Sequence, residues 1–201
     1  MEKTLNAAGC KCRALYSAVP GVPIVFLHGL SYNIEIWQNI GVTDLLLAKH
    51  VAFLMLDMPY GPKSNCAPKT RNTEKNVVFA AEAVKNVFGE EVPVLVGASI
   101  GGHMALQYAV RFPVKGLLLI APARALDEDL LQAYGKFNFP VRIIWGTQDT
   151  IISGEDMRTL SNKLPNAKLK IYNTAGHSAY KNEPEQFKKD LLELYATAEQ
   201  T

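Results

Sequence analysis

The stretch Val92-Pro93-Val94-Leu95-Val96-Gly97-Ala98-Ser99-Ile100-Gly101-Gly102 decides how the rest of the chain is read. Its first half is a short Val/Leu run of strand length, and the residues from Ile100 to Phe112 have helix length before Pro113 stops them. The turn between the two reads G-x-S-x-G. On a strand-to-helix turn this pattern holds a serine in a strained backbone with its Oγ exposed above the sheet. Gly97 and Gly101 are expected there because a Cβ at either place would strike the neighbouring chain. The helix start also aims unpaired N–H groups and a partial positive charge at whatever reacts with the hydroxyl. By itself the pentapeptide is a modest signal, and a glycine-rich turn that merely packs a helix on a strand is its plain competitor. A phosphate-binding loop is disfavoured, since no Gly-Lys-Ser/Thr follows and no acidic ribose partner sits downstream.

Outward from this turn, strand and helix alternate. Val22–Leu27, Val51–Leu56, Val92–Val96, Lys115–Ile120, Val141–Trp145 and Lys168–Tyr172 are short, mostly apolar runs, as in strands covered on both faces. Cys10–Ser17 adds an antiparallel edge strand. Helices are expected over Ile34–Lys49, Thr73–Phe88, Ile100–Phe112, Leu126–Tyr134, Gly154–Leu164 and Pro184–Ala198. Asn72 and Ser153 stand where caps belong, and Gly89 ends a helical run. The alternation predicts one α/β domain over residues 1–201, a doubly wound and mostly parallel sheet. Only 20 residues, Ala121 to Pro140, separate two of the strands, which leaves no room for a cap domain.

Sheets of this kind hold ligands beyond the carboxyl ends of their strands. Two strand ends supply partners for Ser99. Gly146-Thr147-Gln148-Asp149 follows one strand, and Asn173-Thr174-Ala175-Gly176-His177 follows another. Serine alone is a poor nucleophile; His177 as general base and Asp149 as its orienting acid would activate it. His28-Gly29-Leu30 ends a third strand. There the N–H of Leu30, with that of Ile100, would form an oxyanion hole, while His28 braces the loop. Asp127 and Asp57 are alternative acids, Asp127 disfavoured by its place on a helix and Asp57 by a role in its own loop. His103, His50 and Ser178 are read as packing or capping residues. Tyr32, Trp37, Tyr60 and Tyr180 are candidates to line a pocket.

These motifs, His28-Gly29, Gly97 to Gly102, Trp145-Gly146-Thr147-Gln148-Asp149 and Gly176-His177, resemble those of the α/β-hydrolase superfamily, in order from Val22 to Leu194. Trp37-Gln38-Asn39-Ile40-Gly41 resembles a branch of short, lidless members. One departure is Asp57-Met58-Pro59-Tyr60-Gly61-Pro62-Lys63-Ser64, where Tyr60 replaces a glycine of the usual Asp-x-Pro-Gly-x-Gly-x-Ser. The resemblance implies a serine hydrolase acting on a small-molecule carboxylic ester or thioester through an acyl-serine, with no cofactor and no metal. An acyltransferase or peptidase on the same residues, or a non-catalytic binding module, are the alternatives. A carboxylate nucleophile, needed for dehalogenase or epoxide hydrolase chemistry, is absent from the elbow.

Composition narrows the partners. The net charge is +2 with Lys/Arg interspersed among Asp/Glu, so no basic stripe offers itself to nucleic acid. No apolar run approaches the ~20 residues of a membrane span, and Met1 to Asn6 has no signal-peptide pattern. The three cysteines, Cys10, Cys12 and Cys66, are expected to be unpaired structural thiols, which predicts a reducing, cytoplasmic setting.

Overall fold

A computed structural model describes residues 1–200; Thr201, the last residue of the expected domain, lies outside them. The strands are β1 (Glu2–Ala7), β2 (Cys10–Ser17), β3 (Ile24–Leu27), β4 (Phe53–Leu56), β5 (Cys66–Ala67), β6 (Val94–Ala98), β7 (Gly116–Ile120), β8 (Val141–Gly146) and β9 (Ala167–Tyr172). The helices are α1 (Glu35–Asn39), α2 (Val42–Ala48), α3 (Thr73–Phe88), α4 (Ile100–Arg111), α5 (Glu128–Ala133), α6 (Gly154–Lys163), α7 (Ala179–Asn182) and α8 (Pro184–Ala198).

The sheet runs β1-β2-β4-β3-β6-β7-β8-β9, with β5 paired to β2. From β4 to β9 every pairing is parallel, while β1, β2 and β5 run antiparallel. The central strands are buried on both faces, as their lack of alternation predicts: all four residues of β3 and all five of β6 and β7 are buried, whereas β9, read in the same way, is an edge strand with only Tyr172 buried. Two apolar clusters result, one on each side of the sheet. The fold is therefore the doubly wound, mostly parallel α/β sheet expected, without a cap between β7 and β8.

Three local readings need correction. Ile34–Lys49 is two helices, because Gly41 at φ 74° ends α1 and opens α2. β1 was not expected, since only Leu5 and Ala7 of its six residues face the core. It exists because Ala8 and Gly9, both at positive φ, close a two-residue hairpin onto β2. The third concerns the thiols. Cys12 and Cys66 form a disulfide and only Cys10 is free, buried in the core. The two-residue β5 sets Cys66 opposite Cys12, a pairing across 54 residues that spacing could not reveal. The cytoplasmic expectation loses its chemical ground with this bond. No helix among the described residues is long and apolar enough to cross a membrane.

Candidate active site

In-register parallel strands bring their carboxyl ends level, and that is what gathers the residues singled out above. Leu27 pairs with Gly97, Ala98 with Ile120, and Gly146 with Tyr172, so the turns after β3, β6, β8 and β9 open on one edge. Ser99 sits on the turn after β6 at φ 52°, ψ −115°, a conformation that costs a non-glycine residue about 1–3 kcal/mol. Three hydrogen bonds hold it there. Its N–H donates to Ile120 O (2.9 Å), and its carbonyl accepts from His103 N–H (3.1 Å) and Ala123 N–H (3.0 Å). The flanking glycines are steric requirements: a Cβ on Gly97 would lie 2.4 Å from Gly101 O, and one on Gly101 would lie 2.2 Å from Leu27 O.

On the other side of the edge, the turn after β8 is joined to the loop after β9. Thr147 N–H donates to Tyr172 O and Gln148 N–H to Ala175 O, at 3.0 and 2.9 Å. Gly146 permits the approach, since a Cβ there would lie 2.2 Å from Ala175 O. Asp149 is thereby delivered to His177. The His177 Nδ1–H donates to Asp149 Oδ2 at 2.8 Å, and the carboxylate is fully buried while the imidazole side chain is 21% exposed. The other carboxylate oxygen accepts the N–H groups of Ile151 (2.8 Å) and Ile152 (3.0 Å), so both Asp149 oxygens are engaged. This leaves Nε2 of the imidazole as a proton acceptor directed away from the acid.

Ser99 and His177 line one cavity of about 390 Å³, together with Gly29, Leu30, Tyr32 and Tyr180. No hydrogen bond joins the hydroxyl to the imidazole; such contacts commonly tighten only when substrate is bound. Among the described residues, neither the Leu30 N–H nor the Ile100 N–H donates to any group of the chain. Leu30 lines the cavity with Ser99, Ile100 follows Ser99 in the chain, and a Cβ on Gly29 would lie 3.8 Å from Ser99 Cβ.

His28 fixes that loop. It is fully buried, its Nδ1–H donating to Gly29 O (2.8 Å) and its Nε2 accepting from Met58 N–H (3.0 Å) and the Ser64 hydroxyl (2.9 Å). Burial lowers its pKa, and the pattern requires the neutral ring. Tyr60 completes the brace by donating its hydroxyl to His28 O. It is core, not pocket, and burial raises its pKa well above the usual tyrosine value. Trp37 likewise leaves the pocket list, being wholly buried against Phe26, Tyr180 and Phe187. Tyr32 and Tyr180 do line the cavity, Tyr32 sharing a hydrogen bond with Ser178 Oγ at 3.1 Å. The sequence reading missed Ile151, 68% exposed on the cavity wall; its place beside the turn carrying Asp149 was the available signal.

The alternative acids are occupied elsewhere. Asp57 is buried and accepts from Ile34 N–H, Asn65 N–H and Arg13. Asp127 pairs with Arg124 at 2.6 Å. His103 is buried in α4 and His50 bonds Leu47 O on the exposed end of α2. Among the described residues, no group of three or more His, Cys, Asp or Glu is placed to hold a metal.

A sequence model described as the alpha/beta hydrolase family matches residues 24–142, more than half of the chain. Human (Homo sapiens) ABHD14A is 30% identical over 173 residues, covering 85% of this chain and 63% of that protein. The chain thus spans under two thirds of that relative's length. Human ABHD14B, provisionally named a protein-lysine deacylase, is 26% identical over 203 residues, covering 96% of this chain and 94% of that one. Among solved structures, a predicted CIB-like hydrolase from Thermoplasma acidophilum superposes with a TM-score of 0.86 at 20% identity, covering 96% of each chain. An esterase from Exiguobacterium antarcticum gives 0.82 at 18% identity, over 98% of this chain and all of that one. At such identities the structures speak for the fold alone.

Proposed function

This chain belongs to the alpha/beta hydrolase family, and we propose that it is a one-domain serine hydrolase cleaving a carboxylic ester or thioester through an acyl-Ser99 intermediate. The observation that carries the reading is the 2.8 Å bond from His177 to a buried, fully engaged Asp149 at a cavity that Ser99 shares. In the proposed reaction, His177 Nε2 takes the Ser99 hydroxyl proton as Oγ attacks the acyl carbon. Asp149 holds the ring by Nδ1 and stabilises the imidazolium. The N–H groups of Leu30 and Ile100 receive the oxyanion, each worth ~3 kcal/mol in typical acyl transfer. His177 then protonates the leaving group. A water molecule, deprotonated by the same ring, releases the acid.

With no cap over the cavity, the scissile bond is open to acyl groups carried on larger partners. A second reading is therefore removal of an acyl group from a lysine side chain, favoured by likeness to ABHD14B along 96% of the chain. Both readings use the same Ser99 chemistry and differ in the leaving group. The test is labelling by a fluorophosphonate together with turnover of short p-nitrophenyl esters. Wild type is expected to label and turn over, and Ser99→Ala to do neither. Labelling that survives Ser99→Ala overturns the assignment.

A further inference from the structure

A second hollow adjoins the one that holds Ser99. It has a volume of about 430 Å³ and is bounded by Ser31, Tyr32, Glu35, Ile36, Lys63 and Lys181, among others. Ser31 and Tyr32 line both hollows, so a ligand lying over Tyr32 reaches from one into the other. The charges in it are uneven. Glu35 is taken by Arg13 at 3.1 Å, and Arg13 also bonds Asp57 at 3.2 Å. Lys63 and Lys181 pair with no carboxylate among the described residues, and the Lys181 ammonium lies 6.0 Å from the centre of the Tyr32 ring.

Both lysines stand on segments that the Ser99 machinery already holds. Lys63 precedes Ser64, whose hydroxyl donates to His28. Lys181 lies one turn past His177, its N–H donating to Ser178 O at 2.8 Å. Two lysines without a carboxylate partner thus line one hollow that adjoins the cavity of the nucleophile.

We propose that this hollow is an anion subsite: the substrate carries a carboxylate or similar anion set apart from its scissile carbonyl, and Lys63 and Lys181 bind it. The proposal deepens the Ser99 reading and rests on it. Exposed charge pairs are each worth up to about 5-fold, so the two lysines together supply up to about 25-fold. The preference weakens with salt, because both ammonium groups face water.

The experiment measures kcat/KM for two substrate pairs. One pair, p-nitrophenyl butyrate and p-nitrophenyl hemiglutarate, places the anion on the acyl side. The other, phenyl acetate and 4-acetoxybenzenesulfonate, places it on the leaving group. In the variant carrying both Lys63→Gln and Lys181→Gln, the anionic-to-neutral ratio is expected to fall about 10-fold for one pair. The pair that responds identifies the side. Lys163→Gln, an exposed lysine on α6, is expected to leave both ratios alone. Ratios that do not move in the double variant overturn the proposal. Should the wild type turn over none of the four, fluorophosphonate labelling lost in Ser99→Ala decides the Ser99 reading and glutarate binding decides the subsite. Amide shifts clustered at residues 31–36, 63 and 181 on titration with glutarate sustain it, and their absence overturns it.

Discussion

Replacing Asp149 by asparagine separates geometry from proton bookkeeping at the proposed active site. Asparagine fits the same space, and its carbonyl oxygen can keep the N–H groups of Ile151 and Ile152, now bonded at 2.8 and 3.0 Å. The NH2 group then stands where Oδ2 accepts from His177. A donor facing Nδ1 forces the ring proton onto Nε2, the atom that has to accept from Ser99. The hydroxyl loses its base while the fold loses one charge-assisted hydrogen bond, a cost of about 1.5–3 kcal/mol. The wrong tautomer lowers kcat about 10⁴-fold, which at ~1.36 kcal/mol per decade is about 5.5 kcal/mol on the barrier. The assay is p-nitrophenyl ester turnover, read beside a thermal melt that confirms the variant is folded. Asp127→Asn serves as the control, because Asp127 pairs with Arg124 and not with His177. If Asp149→Asn keeps turnover within about 10-fold of wild type while Asp127→Asn collapses it, the assignment of the acid is refuted.

Further outcomes follow from the packing. Gly146→Ala puts a Cβ 2.2 Å from Ala175 O and is expected to cost about 3 kcal/mol while parting Asp149 from His177, so the melt and the turnover fall together; a variant with both intact refutes the steric argument. Thiol titration of the unfolded, unreduced chain is expected to find one free thiol, Cys10, and three after reduction. For a cross-link spanning 54 residues, reduction is expected to cost about 4 kcal/mol, measured by denaturant unfolding with and without reductant. Burial is the largest influence on both His28 and His103 and lowers both pKa values, so below about pH 6.5 the unfolded chain binds protons that the folded chain refuses. Their contribution is present above that pH and is lost as pH falls, so thermal midpoints between pH 7 and 5 are expected to drop; a flat profile refutes it.

Much of this architecture could be read from residue order because parallel strands buried on both faces leave continuous apolar runs, and caps such as Asn72 and Ser153 mark helix starts locally. The same runs located the strand ends, and with them Ser99, Asp149 and His177 as residues on one edge. Elements with weak local signals escaped: β1 has two inward side chains, β5 has two residues, and Gly41 breaks a helix that periodicity carries through. Tertiary structure alone decided the rest, since distance across the sheet is set by strand register and not by spacing along the chain. It brought Cys66 to Cys12, sent Trp37 and Tyr60 into the core, and engaged Asp57 and Asp127 elsewhere. It also placed Lys63 and Lys181, 118 positions apart, in the lining of one hollow with Tyr32. Residue order determined which chemical groups stand at the strand ends; only the folded backbone determined which of them meet.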